Sequence, residues 1–227
     1  KDIALVNIRT NPDNQIFRAM DDDEDIRILA EDIKRNGLMH NLVVFPEQEE
    51  GSTVYVLLSG ERRFRALNYL QEKGDATWNI VNCNVVTTPL AENEKKVLLY
   101  SANLQVRGGF ANEKIRRKAI TEYIACLQEE PYNLTEAQAK KAVKEVASQA
   151  TSEKQINRDF RIENSLNPVL KQLLDEDFLM RVECEDYVKF DDDKQQVIAE
   201  KMSALKAATR NDDAASVQFQ NDIHKDY

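Results

Sequence analysis

Apolar positions change period near the middle of the chain. Up to residue 107, short apolar runs alternate with helically spaced ones; beyond residue 109 every patterned stretch has helical spacing. Ile3–Ile8 reads as a short strand. Ile26, Leu29, Ala30 and Ile33 fall at i, i+3, i+4 and i+7, a helix that Gly37 ends. Leu42–Phe45 and Val54–Leu58 are β-rich runs around a polar turn, Pro46–Thr53. A helix opens at Gly60 and runs through Leu67 and Leu70 to a stop at Gly74-Asp75. Ile80–Val86 is the next strand, and Pro89 precedes a helix carrying Val97, Leu98 and Tyr100. This order predicts an α/β (α+β) domain over residues 1–107, with Gly108-Gly109 as a hinge.

The second half predicts an all-α domain over residues 110–206 and a polar tail or linker over 207–227. Asn112 caps a helix with Ile115, Ala119, Tyr123 and Leu127 on one face. Thr135–Gln138 has capping-box spacing and opens a helix through Ala139, Val143, Val146 and Ala147. Ser152–Gln155 has the same spacing and opens another, with Ile156 and Phe160 facing inward. Asn167-Pro168 starts a helix with Val169, Leu170, Leu173 and Leu174, and Gln195–Leu205 forms the last one.

Composition narrows the class. No apolar run approaches the roughly 18 residues that span a bilayer, and no signal peptide is visible, so a cytoplasmic protein without membrane contact is expected. Cys83, Cys126 and Cys184 lack metal-ligand spacing and read as buried reduced thiols. His40 and His224 lie too far apart in sequence to suggest a histidine metal site. The first residue is Lys1 rather than Met, as expected of a trimmed fragment. The net charge is −9, yet between Lys114 and Arg161 ten Lys and Arg face seven Asp and Glu. Local patches rather than net charge decide docking, so this segment is the one to meet phosphates.

Two constellations carry chemistry. In Ser59–Ala66 a glycine joins a strand to a helix, and three arginines and a glutamate follow within five residues. A helix N-terminus with backbone N–H groups and guanidinium forks suits a phosphate. The second is the pair of capped helices joined by Ser148–Thr151, spaced as a helix-turn-helix. The later helix would read the major groove. Ser152, Lys154, Gln155, Asn157, Arg158 and Arg161 are its candidate DNA-binding residues. Gln and Asn suit adenine, Arg suits guanine, and Lys suits phosphate. Lys140, Lys141 and Lys144, with Arg116 and Arg117, would flank it as backbone contacts.

Gly60-Glu61-Arg62-Arg63-Phe64-Arg65-Ala66 resembles the GERRxRA signature of the ParB/Spo0J partition proteins. Asn14–Arg18, Ile26–Ile33 and Gly37-Leu38 are similar to the family's upstream block, and Asn103–Arg107 to its ENLQR motif. The helices from Asn112 through Leu174 are similar to the family's helix-turn-helix core, and the likeness covers most of residues 3–205. The resemblance implies a ParB/sulfiredoxin-like domain that binds CTP, or another nucleoside triphosphate, with Mg2+. It further implies double-stranded DNA as partner, a homodimeric clamp, and a Walker-type partition ATPase as a second partner. Carried over by residue, Gly60, Glu61, Arg62 and Arg63 would surround the phosphates, and Arg18 and Arg107 would complete the nucleotide site. Asn103 would hold both metal and nucleotide.

The chain departs from the family at three points. Ala102 replaces the ENLQR glutamate, Ile16 or Phe17 stands where a proline is usual, and His40-Asn41 replaces a "QP" pair. Sulfiredoxins carry a catalytic cysteine where Glu61 stands, which argues against their chemistry. The family's C-terminal dimerisation region is not evident after Leu205. The implied role is plasmid or chromosome partition, or regulation on a mobile element. One alternative is a ParB-like nuclease or slow CTPase-type hydrolase using Glu61 as its catalytic group. Another is a transcriptional regulator or adaptor with a degenerate pocket.

Overall fold

The computed structural model describes residues 1–14, 17, 23–106, 113–147 and 151–209. Its strands are β1 (Asp2–Ala4), β2 (Ile8–Arg9), β3 (Leu42–Glu49), β4 (Ser52–Ser59) and β5 (Ile80–Val85). Its helices are α1 (Asp23–Asn36), α2 (Glu61–Glu72), α3 (Glu92–Val106), α4 (Glu113–Gln128), α5 (Glu136–Val146), α6 (Glu153–Ser165), α7 (Pro168–Asp175), α8 (Arg181–Tyr187) and α9 (Asp192–Thr209). The expected class, a mixed α/β region followed by helices, is what forms. Two compact units divide the chain, Lys1–Glu153 and Lys154–Tyr227.

In the first unit the strand order is β1-β5-β3-β4-β2, with β3 antiparallel to β4 and parallel to β5. The single strand expected over Ile3–Ile8 is instead two, the outer strands of the sheet, joined by a 3-10 turn at Leu5–Asn7. Ile3, Leu5 and Ile8 are all buried while Val6 is exposed, so the turn serves three apolar side chains that one straight strand could not all bury. Four inter-strand steps of about 4.8 Å would set flat edges ~19 Å apart, whereas four residue steps reach at most ~14 Å. The sheet therefore curls. The expected turn Pro46–Thr53 is also much shorter: both strands extend to a two-residue turn at Glu50-Gly51, with φ of 47° and 82°. Positive φ at both central residues matches the twist of a hairpin, and Gly51 supplies one without strain. Pro46 is tolerated in β3 because β5 pairs only with Leu42–Val44.

One face of the sheet buries Leu42, Val44, Tyr55, Leu57, Val81 and Cys83 against Ile26, Ala30 and Ile33 of α1 and Phe64, Leu67 and Leu70 of α2. Elsewhere Phe45, Val56 and Leu58 form a smaller cluster with Val43, Val86 and Leu90, and α3 packs on β4. Tyr100 of α3 stacks on Tyr123 of α4, ring centroids 6.2 Å apart. The predicted α4 stripe Ile115, Ala119, Tyr123 and Leu127 is buried, and the capping box of α5 forms between Thr135 and Gln138.

The second unit is helical. Ile162, Leu166, Leu170, Leu173, Leu179, Cys184, Tyr187, Ile198, Met202 and Leu205 make its core. Asn167 caps α7 by accepting from the Val169 N–H, with Pro168 at the first helical position as expected. Helix α8 has no counterpart in the sequence reading. Its Glu183–Asp186 run is rich in acid, yet Cys184 and Tyr187 fall on a buried side and the Glu183 carboxylate accepts the Met180 N–H. Residues 207–209, expected in a tail, belong to α9, which runs through Thr209, and residues 210–227 lie outside the described residues.

Candidate nucleotide and nucleic-acid sites

The turn from β4 into α2 places Gly60 at φ 102°, ψ 23°. A Cβ there would lie 2.8 Å from Leu42 Cδ2 and 3.1 Å from Arg63 Nη2, so both backbone and space demand glycine. Gly60 has no side chain to cap the helix, which leaves the start of α2 open to an anion.

Glu61 follows at the first helical position and is 8% exposed. Asn14 Nδ2 donates to Glu61 Oε2, and Asn103 Nδ2 donates to Asn14 Oδ1 at 3.2 Å. Asn103 Nδ2 also donates to the Leu99 carbonyl at 2.9 Å, which fixes the amide against its own helix. Three segments far apart in sequence thus meet at one polar cluster: the turn after β2, the start of α2 and the C-terminal half of α3. Asn14 was missed as a site residue, although it opens the upstream block that resembles the family.

The three arginines of the motif diverge. Arg62 is exposed at the helix start. Arg63 turns back beneath Gly60, and its Nη1 donates to the carbonyls of His40 and Asn41, the latter at 2.9 Å. Burial lowers the Arg63 pKa from its ordinary value, a cost that two carbonyl acceptors offset. Arg65 pairs with Asp23, an acid at the start of α1, at 3.3 Å. Arg18 and Arg107 lie outside the described residues. Among the described residues no group of three or more His, Cys, Asp or Glu gathers as a metal site. All three cysteines are buried and none forms a disulfide, and burial pushes the Cys126 thiol up to about 11, as expected of inert thiols.

The candidate nucleic-acid residues also separate. On α6, Lys154, Asn157 and Arg161 are exposed, and Ser152 is exposed just before the helix. Gln155 and Arg158 are half-buried: Gln155 Nε2 donates to Asp159 Oδ1 at 2.9 Å, and Arg158 Nε lies 3.4 Å from Glu185 Oε2. On α5, Lys141 is exposed, Lys140 pairs with Glu136 at 2.5 Å, and Lys144 Nζ donates to the Thr151 carbonyl at 2.9 Å. Arg116 pairs with Glu113. Arg117, expected as a DNA-backbone contact, is instead 2% exposed within α4. A guanidinium that deep is part of the interior, because moving it out would open the packing around it.

Comparison with known proteins bears on the family and the fold. Residues 1–93 match the family profile of the ParB N-terminal domain. Residues 1–93 are thus similar to a ParB N-terminal domain. Eleven solved chains match this one. One is the C-terminally truncated chromosome-partitioning protein ParB from Caulobacter crescentus complexed to the centromeric parS site. It is 14% identical, with a TM-score of 0.53 over 99% of each chain. The same Caulobacter protein complexed with CTP-gamma-S matches at 18% identity and a TM-score of 0.38, over 89% of this chain and 97% of that one. No curated protein matches the sequence. Among the described residues no helix is long and apolar enough to cross a membrane.

Proposed function

We propose that this chain is a ParB-type DNA-binding protein whose N-terminal domain binds CTP, or another nucleoside triphosphate, with Mg2+. The observation that carries the reading is the Glu61–Asn14–Asn103 cluster beside the uncapped start of α2. The α2 N-terminus and Arg62 would take the phosphates, with Arg18 and Arg107 as further guanidinium ligands. Arg63 would act from behind by holding the 40–41 loop against Gly60. Mg2+ prefers hard oxygen donors and keeps several waters, and the Glu61 carboxylate and the Asn103 amide oxygen fit that preference. The ion would neutralise phosphate charge.

Helix α3 gives the pocket a route outward. Asn103 belongs to the pocket, whereas Asn93 at the other end of α3 donates to the Cys126 carbonyl of α4 at 2.6 Å and to the Glu130 carbonyl at 2.9 Å. Movement of α3 on nucleotide binding would therefore reach α4. In the proposed function this coupling gates a homodimeric clamp on double-stranded DNA, with α6 as reading helix and the α5 lysines as backbone contacts. Partition of a plasmid or chromosome, with a Walker-type ATPase as partner, is the role this serves. It would act in the cytoplasm.

The experiment is calorimetric titration with CTP, ATP and GTP, each with Mg2+, with and without DNA. Saturable CTP binding that Arg62→Ala weakens supports the reading; no heat with any nucleotide ends it. The burial of Glu61 beside two amides favours one second reading, a slow nucleotide hydrolase or nuclease with Glu61 as its acid or base. Metal-dependent hydrolysis of CTP or nicking of plasmid, lost in Glu61→Ala, would establish it.

A further inference from the structure

Asp159 lies near the middle of α6 with its side chain 0% exposed. Its Oδ1 accepts from Gln155 Nε2 at 2.9 Å and lies 3.1 Å from Arg181 Nη2 at the start of α8. Arg181 Nε donates to Glu185 Oε1 at 2.9 Å, and the other Glu185 oxygen faces Arg158. A buried carboxylate needs a charge-matched partner, so this ion pair fixes the rotation of α6 about its own axis. Turning the helix would either expose Ile156 and Ile162 or strand Asp159.

From this network we infer that Arg181 and Asp159 are positioning residues that select which α6 side chains read DNA. They draw Gln155 and Arg158 toward the α6–α8 side and leave Lys154, Asn157 and Arg161, at i, i+3 and i+7, as one exposed stripe. Asn157 and Arg161 read bases; Lys154 meets phosphate. Gln155 is the residue that sequence chemistry would choose for adenine, and here its amide donates to a neighbour on its own helix. The inference rests on α6 being the DNA-reading helix of the proposed function.

The test selects double-stranded sequences from a randomised duplex library with the full chain and its variants, and records a thermal melt for each. Asn157→Ala and Arg161→Ala each flatten preference at their own base positions by roughly tenfold or more. Gln155→Ala and Arg158→Ala select the wild-type sequence. Lys154→Ala keeps the sequence and lowers the salt slope of affinity by about 1. The double variant Asp159→Asn with Arg181→Met replaces the charge pair without leaving a lone buried charge, and it selects a broadened sequence although it melts cooperatively. Preference lost in Gln155→Ala, retained in Asn157→Ala, or unchanged in the double variant overturns the inference. If the wild-type chain selects no sequence, the DNA-reading role itself fails, and the inference with it.

Discussion

The two units bury carboxylates in contrasting ways. Glu61 is reached by Asn14 and, through it, by Asn103, residues brought together only when sheet and helices have assembled. Asp159 is held by Gln155 on its own helix and by Arg181 from a helix that follows soon after. The first arrangement brings amides to the acid beside a helix start that no cap side chain closes, the setting of the proposed phosphate and cation site. The second already joins acid to guanidinium, which leaves little for a ligand to do. Burial of an acid is therefore not by itself a sign of a site; the chemistry of what holds it is.

That contrast can be broken from either side. Arg181→Ala has the largest expected effect on stability. It leaves Asp159 buried without its cation and should cost about 3–5 kcal/mol, seen as a lower urea midpoint with the slope unchanged. Gly60→Val comes next, at roughly 2–3 kcal/mol, because φ 102° and the Leu42 contact both oppose a side chain. It should also abolish nucleotide binding, which Arg181→Ala should not do at temperatures where it remains folded. Asn103→Ala should lower stability by only about 1 kcal/mol while weakening CTP and Mg2+ binding roughly tenfold or more. Arg62→Ala sharpens the comparison further. It lies exposed, so stability should stay within about 0.5 kcal/mol while CTP affinity falls roughly tenfold or more. Equal losses of stability and affinity across these variants would erase the distinction between site and scaffold.

The parts legible in the sequence were those set by local rules. Helical spacing located α1, and the Thr135 and Asn167 signals located the starts of α5 and α7, because capping uses residues within three positions of one another. Gly60 was legible as a turn, and its φ explains why no other residue stands there. What escaped depended on distance. The split of Ile3–Ile8 follows from a curled sheet that forms only when β4 and β5 are present. Asn14 joins the pocket through partners 47 and 89 positions away. Arg117 carried the composition of a surface contact and turned out to be interior. Gln155 and Arg158 matched base-reading chemistry by type, yet Asp159 of the same helix occupies Gln155, and Glu185 of α8, a helix absent from the sequence reading, faces Arg158.

The central claim is that the Gly60 turn and the Glu61–Asn14–Asn103 cluster form a nucleotide pocket. Titration of the full chain with CTP and Mg2+ in a calorimeter tests it most directly, beside Arg62→Ala and Asn103→Ala. One saturable site in the wild type, weakened in both variants while their urea midpoints stay close to wild type, is the predicted result. No binding of CTP, ATP or GTP by the folded wild-type chain would contradict it.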